Sequence, residues 1–132
     1  MVIERRVRRS EWVSRAVNLQ LAACLDRYGL PSIVVGDDRG MLVGSARELS
    51  EIDEAVLAFA PLLCRTDARA DRVELADRMR RDVPPQSQRQ LSVRRFRIGG
   101  EPLYLCAIGE RTRAKEAAMV HAITGLKRIL ER

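Results

Sequence analysis

"IVVGDDRGMLVG", residues 33–44, decides the fold, because two aliphatic runs flank an acidic tetrapeptide that ends in glycine. Side chains alternate along a strand, so Ile33 and Val35 take one face while Val34 takes the other, and Met41 and Val43 likewise oppose Leu42. Both faces of the expected hairpin are apolar and require cover from two sides. A rival reading gives Asp37 and Asp38 a chemical role, since paired carboxylates at a strand end can hold Mg²⁺ for phosphoryl transfer. Such a loop alternates its carboxylates, and Arg39 stands where the second would be. The run from Asp37 to Gly40 is instead the composition of a type I turn closed by a left-handed glycine, in which aspartate caps its own backbone. The stretch reads as a bend, with no catalytic or metal-binding residue in it.

Upstream, Ser10 precedes a periodic run in which Val13, Val17, Leu21 and Cys24 form one stripe and Trp12, Ala16, Leu19 and Ala23 a neighbouring one. A helix from about Glu11 to Tyr28 with a wide apolar face is expected, stopped by Gly29 and Pro31. Residues 1–9, with Arg5, Arg6, Arg8 and Arg9, read as a basic leader, and residues 10–132 as a single domain. "LAAC", Leu21 to Cys24, has the form of a lipoprotein cleavage box, but the apolar stretch before it is too short and carries Asn18 and Gln20. No run is long enough for a membrane span.

Downstream, Ser50 with Asp53 three residues on is a capping box, and Glu51 and Glu54 add negative charge where a helix dipole favours it. Ile52, Ala55, Val56, Phe59, Leu62 and Leu63 recur at helical spacing, with Pro61 expected to kink or divide the helix. A weaker helix is expected over Asp71–Arg81, followed by "DVPPQSQRQ" as a polar connector. "LSVRRFRI", "GGE" and "PLYLCAIG" form a second hairpin, whose arginine-bearing first strand suits an exposed edge and whose apolar second strand suits the centre of a sheet. Thr112 opens a closing helix with Met119, Ala122, Leu126 and Ile129 inward, beside Val120, Ile123 and Leu130. The fold class is α+β: an antiparallel sheet of about five strands between helices.

Composition limits the function. Hydrophobic residues make up 46% of the chain and charged residues 32%, which suits a globular domain rather than disorder. The net charge of +6 raises a polyanionic partner, yet of 24 basic residues only Lys115 and Lys127 are lysine, an arginine bias that base composition alone can produce. Arg94, Arg95 and Arg97 are the partner-binding candidates, although nucleic acid is disfavoured because Phe96 is the only aromatic among them on which a base could stack. Cys24, Cys64 and Cys106 are too far apart for a metal motif and read as reduced thiols of a cytoplasmic protein. His121 lacks any acidic or thiol neighbour that would form a dyad. Nucleotide-loop, serine-hydrolase and zinc-protease signatures are absent, so a non-enzymatic module without cofactor is expected.

The stretch from Leu30 to Leu63 resembles the first half of the roadblock/dynein light chain domain: an apolar strand, an acidic glycine turn, a second strand and an acidic-capped helix. Glu101 to Leu130 is similar to that family's last strand and closing helix, and together the two regions cover about half the chain. The resemblance implies a profilin-like fold, a homodimer formed through the middle helix and a sheet edge, and regulation of or scaffolding for a small Ras-like GTPase or another signalling protein. On that basis Ile52, Val56, Phe59 and Leu63 are the candidate dimer residues. Pro61, the absence of a strand signal from Asp71 to Gln90 and the basic leader depart from the pattern. "RIGGEPLYLCAIG" also resembles the late hairpin of GAF-type ligand-sensing domains, which makes a small-molecule sensor the rival reading.

Overall fold

The computed structural model describes the backbone of residues 2–131 and the side chains of residues 11–131. Its elements are α1 (Val2–Tyr28), β1 (Ser32–Asp37), β2 (Leu42–Ser45), α2 (Glu51–Arg65), α3 (Arg69–Met79), α4 (Pro85–Gln90), β3 (Leu91–Ile98), β4 (Glu101–Ile108) and α5 (Arg113–Leu130). The four strands form one antiparallel sheet in the order β2-β1-β4-β3.

Alternation along the strands builds two cores, one on each face. Ile33, Val35, Leu103, Leu105 and Ala107 pack against Val17, Leu21 and Cys24 of α1 and Ala118, Met119, Ala122 and Leu126 of α5. On the other face Val34, Tyr104 and Cys106 meet Val56, Leu57 and Ala60 of α2 and Leu75 and Met79 of α3. The expected two-sided cover holds for β1, where Ile33, Val34 and Val35 are all buried. It does not extend to the β2 side of the hairpin, where Met41 is 63% and Leu42 45% exposed.

The first turn forms as the sequence predicts. Asp37 N–H donates to the Met41 carbonyl at 2.9 Å and Asp37 Oδ1 accepts from the N–H groups of Arg39 and Met41 at 2.8 and 3.0 Å. Gly40 takes φ +78, and a Cβ there would sit 3.1 Å from Ala58 Cα, so conformation and space both demand glycine. Opposite Val35 stands Gly44, and opposite Gly36 stands Leu42, which leaves Val43 as an extra bulged residue.

Ser50 caps α2 as expected: its hydroxyl accepts from Asp53 N–H while Asp53 Oδ2 accepts from Ser50 N–H, both at 3.1 Å. Pro61 does not divide this helix, which runs unbroken from Glu51 to Arg65. The Leu57 carbonyl, which Pro61 deprives of its helical donor, lies beside the Gly40 turn. The third helix starts and ends two residues earlier than expected. Part of the expected connector is the short helix α4, which Pro85 opens in the first-turn position where proline is tolerated. Two helices and the turn between them thus occupy residues 69–90, where a fifth strand would have to come from, and among the described residues the sheet has four strands.

β3 is an edge strand and β4 a central one, as their sequences indicated. Thr112 caps α5 by accepting from Lys115 N–H at 3.1 Å. α1 crosses α5 closely at Gly125, where a Cβ would meet the Gln20 side chain at 2.1 Å. The basic positions 5, 6, 8 and 9 lie in the first turns of α1, with side chains outside the described residues. No helix of the described residues is long and apolar enough to cross a membrane.

Candidate functional site

The three candidate arginines are divided by the pleat of β3. Arg94 shares its face with Phe96 and α5, and its guanidinium donates to Glu116 Oε2 at 2.6 Å. Arg95 is opposite Tyr104 and so belongs to the α2 face. Arg97 lies on that same face and donates to the Gly100 carbonyl at 2.7 Å in the hairpin turn. What the sequence groups as one basic cluster is therefore two surfaces on opposite sides of an edge strand.

On the α5 side, a surface groove of about 810 Å³ lies between Leu91–Arg94 of β3 and the first turns of α5. Arg94, Arg111 and Arg113 line it together with Glu116 and Met119. Lys115, also in its wall, is 1% exposed. Its ammonium donates to the Gln90 carbonyl and, at 3.0 Å, to the Gly109 carbonyl, tying α5 to the end of the sheet. Burial first, and Arg111 second, push its pKa below the ordinary lysine value.

On the α2 side the structure joins residues that no sequence spacing connects. Asp38 Oδ1 accepts from the Tyr104 hydroxyl at 2.8 Å and from the Arg65 guanidinium at 2.6 Å. The Tyr104 hydrogen bond foremost, then Arg65, hold the Asp38 carboxyl below the usual carboxylate range. Burial and the bond to Asp38 raise the Tyr104 phenol. Asp37 caps the turn and Asp38 ties the turn to α2 and β4, so the two carboxylates serve different structural ends.

Of the candidate dimer residues, Val56 is 1% exposed and belongs to the core of its own chain. Ile52, Phe59 and Leu63 are half-buried against the same core. The outward side of α2 offers Glu51, Glu54, Ala58, Leu62 and Arg65, with Leu62 only 39% exposed. A more apolar surface lies on α1. Val17, Leu21 and Cys24 go into the core, but the adjoining stripe expected to join them stays outside, with Trp12 54% and Leu19 64% exposed. Val120, placed beside the inner stripe of α5 by its sequence, is likewise 55% exposed.

Cys24 and Cys106 are buried, Cys64 is half-buried, and all are free thiols. Burial raises each thiol's pKa, which disfavours the reactive thiolate. His121 Nδ1 meets the Tyr28 hydroxyl at 3.3 Å across the α1–α5 contact. Among the described residues no cluster of three or more His, Cys, Asp or Glu side chains could hold a metal ion. Comparison with protein-family models, with curated proteins and with solved structures finds no match for this chain.

Proposed function

We propose that this protein is a non-enzymatic interaction module that works as a homodimer and regulates a signalling partner. The observation that carries the reading is the apolar stripe left on the outward face of α1. Trp12, Ala16, Leu19 and Ala23 follow the four-three-four spacing of a two-helix seam, and the Trp12 and Leu19 side chains are more than half exposed. A second copy of α1 brings the same stripe across a two-fold axis, so the face is complementary to itself. A tryptophan buried in such a contact commonly carries a large share of its energy. A sheet with helices on both faces supports the profilin-like, roadblock-like part of the reading, with α3 and α4 standing where the additional strand was expected. We place the interface on α1 rather than on α2, where the resemblance implied it, because Val56 is buried in the core of its own chain and Ile52, Phe59 and Leu63 are half-buried against it, whereas the α1 stripe is exposed.

Light scattering tests it. The purified chain should run at twice 14.9 kDa, and Trp12→Asp with Leu19→Asp should give monomers by weakening association about 100-fold or more. Because Trp12 is the only tryptophan, dilution through the dimer's Kd should also shift its emission to the red. A monomer mass at every concentration, with emission insensitive to dilution, removes the reading.

For the partner, a small Ras-like GTPase is the class the roadblock resemblance suggests. Capture from native lysate with and without a non-hydrolysable GTP analogue should then recover a GTPase in a nucleotide-dependent way. The sensor alternative needs an enclosed apolar pocket. The groove at Arg94 and Glu116 and the one at Ser14, Asn18 and Ala46 both open on the surface.

A further inference from the structure

The two edges of the sheet differ in kind. β2 ends it with four residues, and the outward Ser45 N–H is already taken by Asn18 Oδ1 at 3.0 Å. β3 ends it with eight residues, Leu91–Ile98, which pair with β4 on one side only. An edge strand directs half of its N–H and C=O groups away from its neighbour, ready to pair with another chain.

Grooves flank the first half of this edge on both faces of the sheet. One is the α5-side groove, with Arg94, Arg111 and Arg113. The other, of about 370 Å³, lies between β3, α2 and α3, with Leu63, Ala76 and Met79 as apolar wall and Arg72 at its rim. Leu91, Val93 and Arg111 border both. A strand laid against β3 points successive side chains to opposite faces, so alternate residues enter alternate grooves.

Charge selects the occupant. Four arginines line the two grooves, against the single carboxylate of Glu116, which Arg94 already engages. A second copy of β3 fits poorly, because antiparallel pairing of two such edges sets arginine strands against each other. We infer that the outer edge of β3 takes up an extended acidic peptide as an added strand, its carboxylates in the α5-side groove and its apolar side chains in the groove walled by Leu63, Ala76 and Met79. This goes beyond the dimer reading and does not depend on it, since the stripe on α1 is a different surface.

The probe is a fluorescently labelled synthetic peptide of alternating glutamate and leucine, titrated by polarisation at low salt into the full chain. It should bind, and binding should weaken as salt rises. Methylating alternate backbone nitrogens of the peptide, which blocks strand pairing but keeps charge and side chains, should weaken binding about 10-fold or more. Arg94→Glu with Arg111→Glu should cause a comparable loss. If that variant is misfolded by circular dichroism, the comparison of methylated and parent peptide on the unaltered chain decides alone. Saturating parent peptide should also slow hydrogen exchange of β3 amides. No binding of the parent peptide, equal binding of the methylated one, or equal binding of a lysine-for-glutamate version would each overturn the inference. So would a DNA duplex that displaces the labelled peptide better than the unlabelled peptide does, since that outcome assigns the basic edge to a polyanion.

Discussion

Asp37 and Asp38 are adjacent in sequence and divided in role. Asp37 bonds to backbone groups within four positions, which is why its part in the bend is readable from the sequence. Asp38 reaches Arg65 and Tyr104, 27 and 66 positions away, and only the pairing of β1 with β4 and the packing of α2 bring them together. That difference sets up a pH signature. The folded-state pKa of Asp38 lies below its ordinary 3.8, so the folded chain holds fewer protons at this site than the unfolded chain just below that pH. Its stabilising contribution is complete above 3.8 and is lost as pH falls through the lowered folded value. Asp38→Asn removes the titration, so wild type should melt higher than the variant at neutral pH, and the gap should close on acidification below about pH 4. A gap that persists unchanged down to about pH 2 would show that the carboxylate's charge does not contribute.

At the scale of elements, the start of α2 is a junction as well as a cap. Asp53 is 4% exposed; besides the capping bond it accepts from the Ser32 hydroxyl of β1 at 2.5 Å, so one carboxylate fixes both the helix start and its seat on the sheet. Asp53→Ala removes half of the cap and leaves a buried hydroxyl without its partner, and should cost about 2–3 kcal/mol in denaturant unfolding. Ser50→Ala, which loses only the cap, should cost about 1 kcal/mol. Equal losses in the two variants would mean that the tie to Ser32 contributes nothing. The cap was legible from the Ser50–Asp53 spacing, whereas the tie was not, because Ser32 and Asp53 are 21 positions apart and meet only across the layer. Of the two outcomes that local rules allowed at Pro61, a kink or a division, the division does not occur. Pro61 leaves only the Leu57 carbonyl without a helical donor, in a turn that already packs on the hairpin. Pro85 stands where a helix tolerates proline, so a segment read as connector could coil into α4.

For the whole molecule, what the sequence could not decide was which of two adjoining apolar stripes of α1 the sheet would bury. Periodicity measures the width of an apolar face, but the area available to cover it depends on where neighbouring layers lie. Here α5 crosses α1 at Gln20 and Gly125, and the core face of the sheet takes Val17, Leu21 and Cys24, so Trp12 and Leu19 have nothing left to pack on. The same architecture separates the proposed surfaces. α1 packs beside β2, whose Ser45 it bonds through Asn18, while α5 borders β3, at the opposite edge of the sheet. Sites far apart with no shared partner contribute additively. Trp12→Asp with Leu19→Asp should therefore abolish the dimer and leave affinity for the acidic peptide within about 2-fold of wild type, and Arg94→Glu with Arg111→Glu should weaken the peptide and leave the dimer mass unchanged. Light scattering and polarisation on the wild type and these two double variants check both halves. A peptide affinity that collapses in the monomer would mean that the partner copy contributes to the β3 site, which would join the two surfaces into one and replace the independent arrangement argued from the fold.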